Sequence, residues 1–219
     1  MFKMIFLIFS FSSVINFYGQ ENMIKLPQPR KDSFFSVERA IYSRRSVREY
    51  QDKDLKFEDV SQLLWAAQGI TSRHGLRSAP SAGALYPIEI YLVAGNVEKL
   101  QPGVYKYIPP NHSLKKVIDK DIRKELCNSA LGQSCVIEAP ATIVISVVFE
   151  RTTKRYGQRG IRYTYFEAGC VAENIHLQAE NLGIGTVVVG AFYDEKVKQA
   201  LAMDTNETPV ALMPIGYKK

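Results

Sequence analysis

The chain has 219 residues, 46% hydrophobic and 23% charged, a make-up that fits one globular domain and excludes a disordered chain. Lysine and arginine total 28 against 22 acidic residues, a net charge of +6 that suits an anionic partner. The cations are scattered and no stripe of base-stacking aromatics interleaves them, so nucleic acid is not the partner they point to.

In chain order, "MFKMIFLIFSFSSVINFYGQ" combines one lysine, a short apolar run and the small residue Gly19, and reads as an export signal over residues 1–19. Ser10, Ser12, Ser13 and Asn16 interrupt the run, which makes a transmembrane helix a poor fit; an uncleaved anchor is the alternative. Export places the mature protein in a periplasmic or extracellular space. Residues 20–34, polar with two prolines, are expected to be a tether ahead of a single domain over residues 35–219.

Ser36 is placed to cap a short helix from about Val37 to Arg44, with Val37, Ala40 and Ile41 on one face. Phe57 to Gln68 has Val60, Leu63, Leu64 and Ala67 at helical spacing, and Gly69 is expected to end it in the left-handed conformation. "IEIYLVA" and "ATIVISVVF" are strands, the second apolar throughout and therefore central. "GVYKYIPPNHSLKKVI" reads as a hairpin turning at Pro109–His112. A long helix is expected from about Tyr163 to Leu182, stopped by Gly183, with "TVVVG" returning as a strand and a short helix starting at Asp194. "VALMPIGY" is the last strand. Hairpin links in place of regular βαβ units predict an α+β sandwich, helices packed on a mainly antiparallel sheet.

Cys127, Cys135 and Cys170 form no CxxC and read as buried free thiols, although an exported chain could bridge Cys127 to Cys135. His74, His112 and His176 lack zinc-ligand spacing, so no metal is expected.

Three stretches carry chemistry. "RRSVRE" brings Arg44, Arg45, Ser46 and Arg48 to a helix end, where alternate side chains of an extended segment converge on one anion. The competing reading is a basic helix C-terminus that complements the dipole. "APSAGALYP" offers small residues and backbone donors to something flat, or is a plain loop before a strand. It is no nucleophile elbow, because Ala79 stands where glycine is needed and polar loop precedes it. "LGIGTVVVGAFYD" lacks dinucleotide-fingerprint spacing; Gly190 either presents backbone N–H groups to a planar ligand or merely breaks the strand.

In that order, these three motifs resemble the FMN-dependent nitroreductase family over about Phe35 to Gly216. "RSAPSAGALYPIEIYLV" and "YFEAGCVAENIHLQAENLGIGTVVVGAFYD" are most similar to the SagB-type branch, whose members oxidise azoline rings in peptides. The resemblance implies a domain-entwined homodimer with two FMN sites, NAD(P)H as electron donor, a small organic substrate, and flavin N5 as the hydride carrier, so that no protein residue is itself catalytic. It implies that Arg44, Arg45 and Ser46 hold the phosphate, with Lys218 a further phosphate candidate, and that Arg48 faces the pyrimidine edge. It implies that Pro80, Ser81, Ala82 and Gly83 of the other subunit lie against the isoalloxazine, and that Val189 and Gly190 stand near N5 and O4. A cation at the ring edge would favour its reduction. The azoline-oxidising branch also carries a catalytic Lys–Tyr pair, for which Lys154, Tyr156 and Tyr163 lie in the right stretch. A peptide azoline dehydrogenase and a non-catalytic flavin-binding module are the alternatives to a general FMN oxidoreductase.

Overall fold

The computed structural model describes residues 23–219, so the expected export signal and the first residues of the expected tether lie outside the described residues. The described strands are β1 (Met23–Lys25), β2 (Ile88–Ala94), β3 (Gly103–Ile108), β4 (Ser113–Ile118), β5 (Ala141–Val147), β6 (Ile184–Thr186) and β7 (Thr208–Tyr217). The helices are α1 (Val37–Ser43), α2 (Phe57–Gln68), α3 (Arg123–Ser129), α4 (Ser134–Glu138), α5 (Phe149–Tyr156), α6 (Arg159–Leu182) and α7 (Asp194–Ala200).

The strands form one sheet in the order β1-β4-β3-β2-β5-β7-β6, and every paired neighbour runs antiparallel. β5 lies between β2 and β7, and all seven of its residues are buried. Its apolar run has a simple cause: Ile143 and Ile145 pack toward α2 and α6, while Val144 packs toward α3, α4 and α7. Each such fully buried side chain contributes about 1.5–3 kcal/mol, which makes the two-sided strand the keel of the fold. The expected α+β sandwich is therefore the observed one.

α2 has the expected bounds, and Ser36 caps α1 by accepting the Arg39 N–H at 3.2 Å. The hairpin turns over Pro109–Asn111, with His112 left-handed at its end. α6 begins at Arg159, four residues before the expected start, and Gly183 ends it at φ 69°.

Other expectations are corrected. Gly69 is extended (φ −63°, ψ 149°), not left-handed. Its carbonyl accepts the Ser78 N–H at 2.9 Å, and a Cβ there would lie 2.1 Å from Trp65 Cδ1, so this glycine is needed for space. "TVVVG" is not a strand as a whole: β6 ends at Thr186, and beyond it only Val189 rejoins the sheet, opposite Leu212. Within the expected tether, Met23–Lys25 pairs with Ser113–Lys115 of β4. In α1, Ala40 is buried but Val37 and Ile41 are exposed, so the apolar positions do not share a covered face.

Candidate functional site

The residues that follow α1 form a strap across the β6–β7 edge. Val47 N–H donates to Thr186 O and Gln51 N–H to Tyr217 O, each at 2.9 Å. Gly185 and Gly216 face each other in the β6–β7 register, and both are needed for this crossing. A Cβ on Gly185 would lie 2.5 Å from Val47 Cγ1, and one on Gly216 would lie 2.8 Å from Tyr50 Cβ. Tyr50 is buried beneath the strap, where desolvation raises its phenol well above the ordinary range. The strap is thus positioned by backbone and offers its side chains.

Of those side chains, Arg48 is exposed and has no acidic partner within 4.0 Å among the described residues. Arg44 has only a loose contact, Nε to Glu173 Oε1 at 3.9 Å. Arg45 curls back and donates to the carbonyls of Tyr42 (3.1 Å) and Arg44 (2.8 Å), and Ser46 is exposed beside Thr186. Thr186 Oγ1 is buried without a partner. Lys218 is brought to the same place, but its ammonium is bound to the buried Glu180 carboxylate at 2.5 Å. Glu180 also accepts from Ser43 Oγ at 2.8 Å, which locks the end of α1 onto α6. Burial holds the neighbouring His176 imidazole below its ordinary range; Glu173 opposes that shift and Arg44 adds to it.

The Pro80–Gly83 loop is built in the opposite way. Its backbone is unusual: Gly83, Ala84 and Tyr86 have φ of 63°, 55° and 47°. For the two non-glycines the left-handed region costs on the order of 1 kcal/mol each, so surrounding contacts must hold it. Ser81 Oγ accepts the Tyr86 N–H at 2.8 Å, Arg151 donates to Tyr86 O at 3.0 Å, and Arg77 lies over the Tyr86 ring at 4.4 Å. From α6, Glu167 Oε1 accepts the Ala82 N–H at 2.8 Å. Glu167 is only 6% exposed and its Oε2 has no partner. Burial raises its carboxyl above the ordinary 4.5, opposed by the Ala82 N–H and by the nearby Ser81 hydroxyl. A Cβ on Gly83 would lie 2.8 Å from both Arg155 Nη1 and Tyr156 Oη, so these two side chains of α5 cover the loop.

Within one chain these regions touch α6 at different residues. The strap region contacts α6 through Glu180 and, more loosely, through Arg44 at Glu173, while the loop contacts it through Glu167, thirteen and six residues earlier. On an α-helix those spacings are about 20 Å and about 9 Å of rise, and each turns the two contacts onto different faces. Val189 and Gly190 do fall near the strap. Thr186 pairs with Ile215 and Val189 with Leu212, three residues apart on β7, or about 10 Å along the strand. The Val189 N–H and C=O are both taken by Leu212, at 2.8 and 2.9 Å. Gly190 is exposed, and a Cβ added there would meet nothing within 4 Å, so it alone of the pair faces open space.

Glu167 and Arg155 were not among the expected site residues, whereas Tyr156 was a candidate for the Lys–Tyr pair. A carboxylate on the apolar face of the long helix, between Thr164 and Val171, is the signal that marks Glu167. Lys154 is exposed, while its neighbours Arg155 and Tyr156 are the pair at the loop. The three cysteines are free, with Cys127 and Cys135 buried. Among the described residues there is no metal-binding cluster and no helix long and apolar enough to cross a membrane.

Residues 41–217 match the Nitroreductase family. A protein of Methanocaldococcus jannaschii named as a nitroreductase is 42% identical over 200 residues, covering 91% of this chain and 98% of its own. The microcin B17-processing protein McbC of Escherichia coli is 29% identical over 200 residues, covering 89% of this chain and 68% of its own. Among solved structures, one from Ralstonia eutropha named as a nitroreductase superposes with a TM-score of 0.79 at 27% identity, covering 91% of this chain and 90% of that one. A chain of the E. coli microcin synthetase McbBCD complex has the same fold, with a TM-score of 0.70 at 24% identity over 96% of this chain and 85% of that one.

Proposed function

The chain belongs to the nitroreductase family, and from that premise we propose an FMN-dependent oxidoreductase that passes hydride through flavin N5 between NAD(P)H and a small organic substrate. The observation that carries this reading is the strap, where Arg44 and Arg48 lack close acidic partners beside the buried, unpaired Thr186 Oγ1. Such a cluster of guanidiniums fits a phosphate monoester, which accepts paired N–H donors. Open space over Gly190, about 10 Å along β7, fits the approach of a flat ring.

In this reading Arg44, Arg45 and Ser46 hold the phosphate, and Arg45 swings away from the Tyr42 and Arg44 carbonyls to do so. Arg48 faces the ring edge and stabilises negative charge there. Lys218 stays with Glu180 and takes no direct part in holding the phosphate. Gly190 contributes its backbone, while Val189 holds that turn to β7. Pro80, Ser81, Ala82 and Gly83 close over the ring from a second copy, since within one chain loop and strap attach to different faces of α6, at Glu167 and at Glu173 and Glu180. Val37, Ile41 and Tyr42 leave the apolar side of α1 exposed in a single chain, and a homodimer covers it.

The likeness to a microcin-processing protein supports the azoline dehydrogenase alternative. Against it stands the pair over Gly83, which is Arg155 with Tyr156 in place of lysine with tyrosine. A guanidinium stays protonated and cannot accept a proton as an amine can, so this pair donates hydrogen bonds and suits an acceptor that gains negative charge. Export through residues 1–19 belongs to the same reading, and sequencing the mature N-terminus tests it.

Anaerobic titration with FMN and then NADH or NADPH tests the function. Tight FMN binding with bleaching by the nicotinamide supports an oxidoreductase. Binding without bleaching by any donor leaves the non-catalytic module. Oxidation of a thiazoline peptide in preference to reduction of quinones or nitroarenes would reverse the choice between the enzymes.

A further inference from the structure

Residues 149–166 carry Arg151, Lys154, Arg155, Arg159 and Arg162 against Glu150 alone. Arg151 is bound to Glu89 at 2.5 Å. The other four have no acidic partner within 4.0 Å among the described residues. Arg159 and Arg162 stand three apart on α6, where like charges on one face oppose each other. They line an open-sided hollow of about 790 Å³ together with Tyr156, Gln158, Tyr165 and Phe166. Tyr165 and Phe166 are 53% and 63% exposed there, so ring faces and unneutralised guanidiniums border the same space.

Tyr156 connects this hollow to the site. It lines the hollow, and its hydroxyl is one of the two groups crowding Gly83 on the loop. A substrate in the hollow therefore lies beside the loop expected against the flavin. Two free guanidiniums select for an anion, and aromatic faces select for a planar ring.

Resting on the proposed oxidoreductase reading, we propose that this hollow is its substrate subsite and that it takes a planar ring bearing a carboxylate or phosphate. Arg159 and Arg162 bind the anionic group, and Tyr165 and Phe166 pack on the ring. The same chemistry is presented by an aromatic acid and by a nucleotide donor.

Calorimetry on the FMN-loaded full chain, with benzoate, its neutral isostere benzamide, and adenosine 5′-monophosphate, tests the inference. Benzoate is expected to bind ~10-fold or more tightly than benzamide, with the gap shrinking as salt rises. R159Q/R162Q should erase that gap and leave FMN affinity unchanged. Adenosine monophosphate binding more tightly than benzoate, with the same loss in the variant, supports the subsite and assigns it to the nucleotide donor. Equal binding of benzoate and benzamide, no binding of either anion, or a gap that survives in R159Q/R162Q overturns the inference. Absence of bound FMN would sink the oxidoreductase reading by itself, while the benzoate–benzamide comparison on the same chain would still report on the hollow.

Discussion

The strap and the loop solve opposite positioning problems. The strap, Arg44 to Tyr50, is held by backbone hydrogen bonds to β6 and β7 over two facing glycines, which leaves Arg44 and Arg48 without close acidic partners. The loop, Ser81 to Tyr86, is held by the side chains of Arg77, Arg151 and Glu167, which leaves the left-handed Gly83 and Ala84 exposed beside Arg155 and Tyr156. One region supplies charge and the other supplies a surface that a flat group can approach closely. A phosphate and a ring need these two services at opposite ends of one ligand.

The contrast can be broken from either side. The largest effect is expected from Gly185→Val, because the new side chain takes the volume of Val47 Cγ1. Overpacking of this kind costs about 1–3 kcal/mol, and here it also lifts the strap. Chemical denaturation should show the loss, and FMN binding should disappear with it. Arg44→Ala should spare the fold, given its single 3.9 Å contact, yet weaken FMN by about 1.5–3 kcal/mol in a binding titration.

On the loop side, Glu167→Ala leaves the Ala82 N–H without its acceptor, at about 1–3 kcal/mol of stability, whereas Glu167→Gln keeps an oxygen and should lose less. The carboxyl also carries a pH signature. Its folded pKa is raised, so its stabilising contribution is full below the ordinary value of 4.5 and is lost as pH rises through the folded value. The stability difference between wild type and Glu167→Gln, measured by thermal unfolding across that range, should therefore shift against the wild type as pH increases. A flat difference would mean that the second oxygen is not desolvated as described.

The smallest effect on FMN is expected from Lys218→Gln, under about 0.5 kcal/mol, because that ammonium already serves Glu180. A loss as large as that of Arg44→Ala would restore Lys218 as a phosphate ligand.

Much of the scaffold is legible in the amino-acid pattern. α2 and β5 announce themselves because their apolar periods, helical in one and continuous in the other, run for seven to twelve residues. α3, α4 and β1 do not, since three to seven residues are too few to display a period. Gly69 misled because glycine after a helix usually means a left-handed cap, and here the indole of Trp65 sets the requirement. The motif arginines are visible as a cluster, but not that Glu180 would claim Lys218 or that Leu212 would claim Val189. Both are long-range pairings, and nothing local encodes them.

The proposal that strap and loop of different copies complete one site is open to a subunit-mixing measurement. A chain carrying Arg44→Ala and Arg45→Ala and a chain carrying Gly83→Val should each fail to hold FMN as homodimers. Co-expressed with different tags and purified as a heterodimer, the two should bind one FMN per dimer, because one site then combines an intact strap with an intact loop. A heterodimer that binds none would mean that each site lies within a single chain, and would contradict the shared-site account.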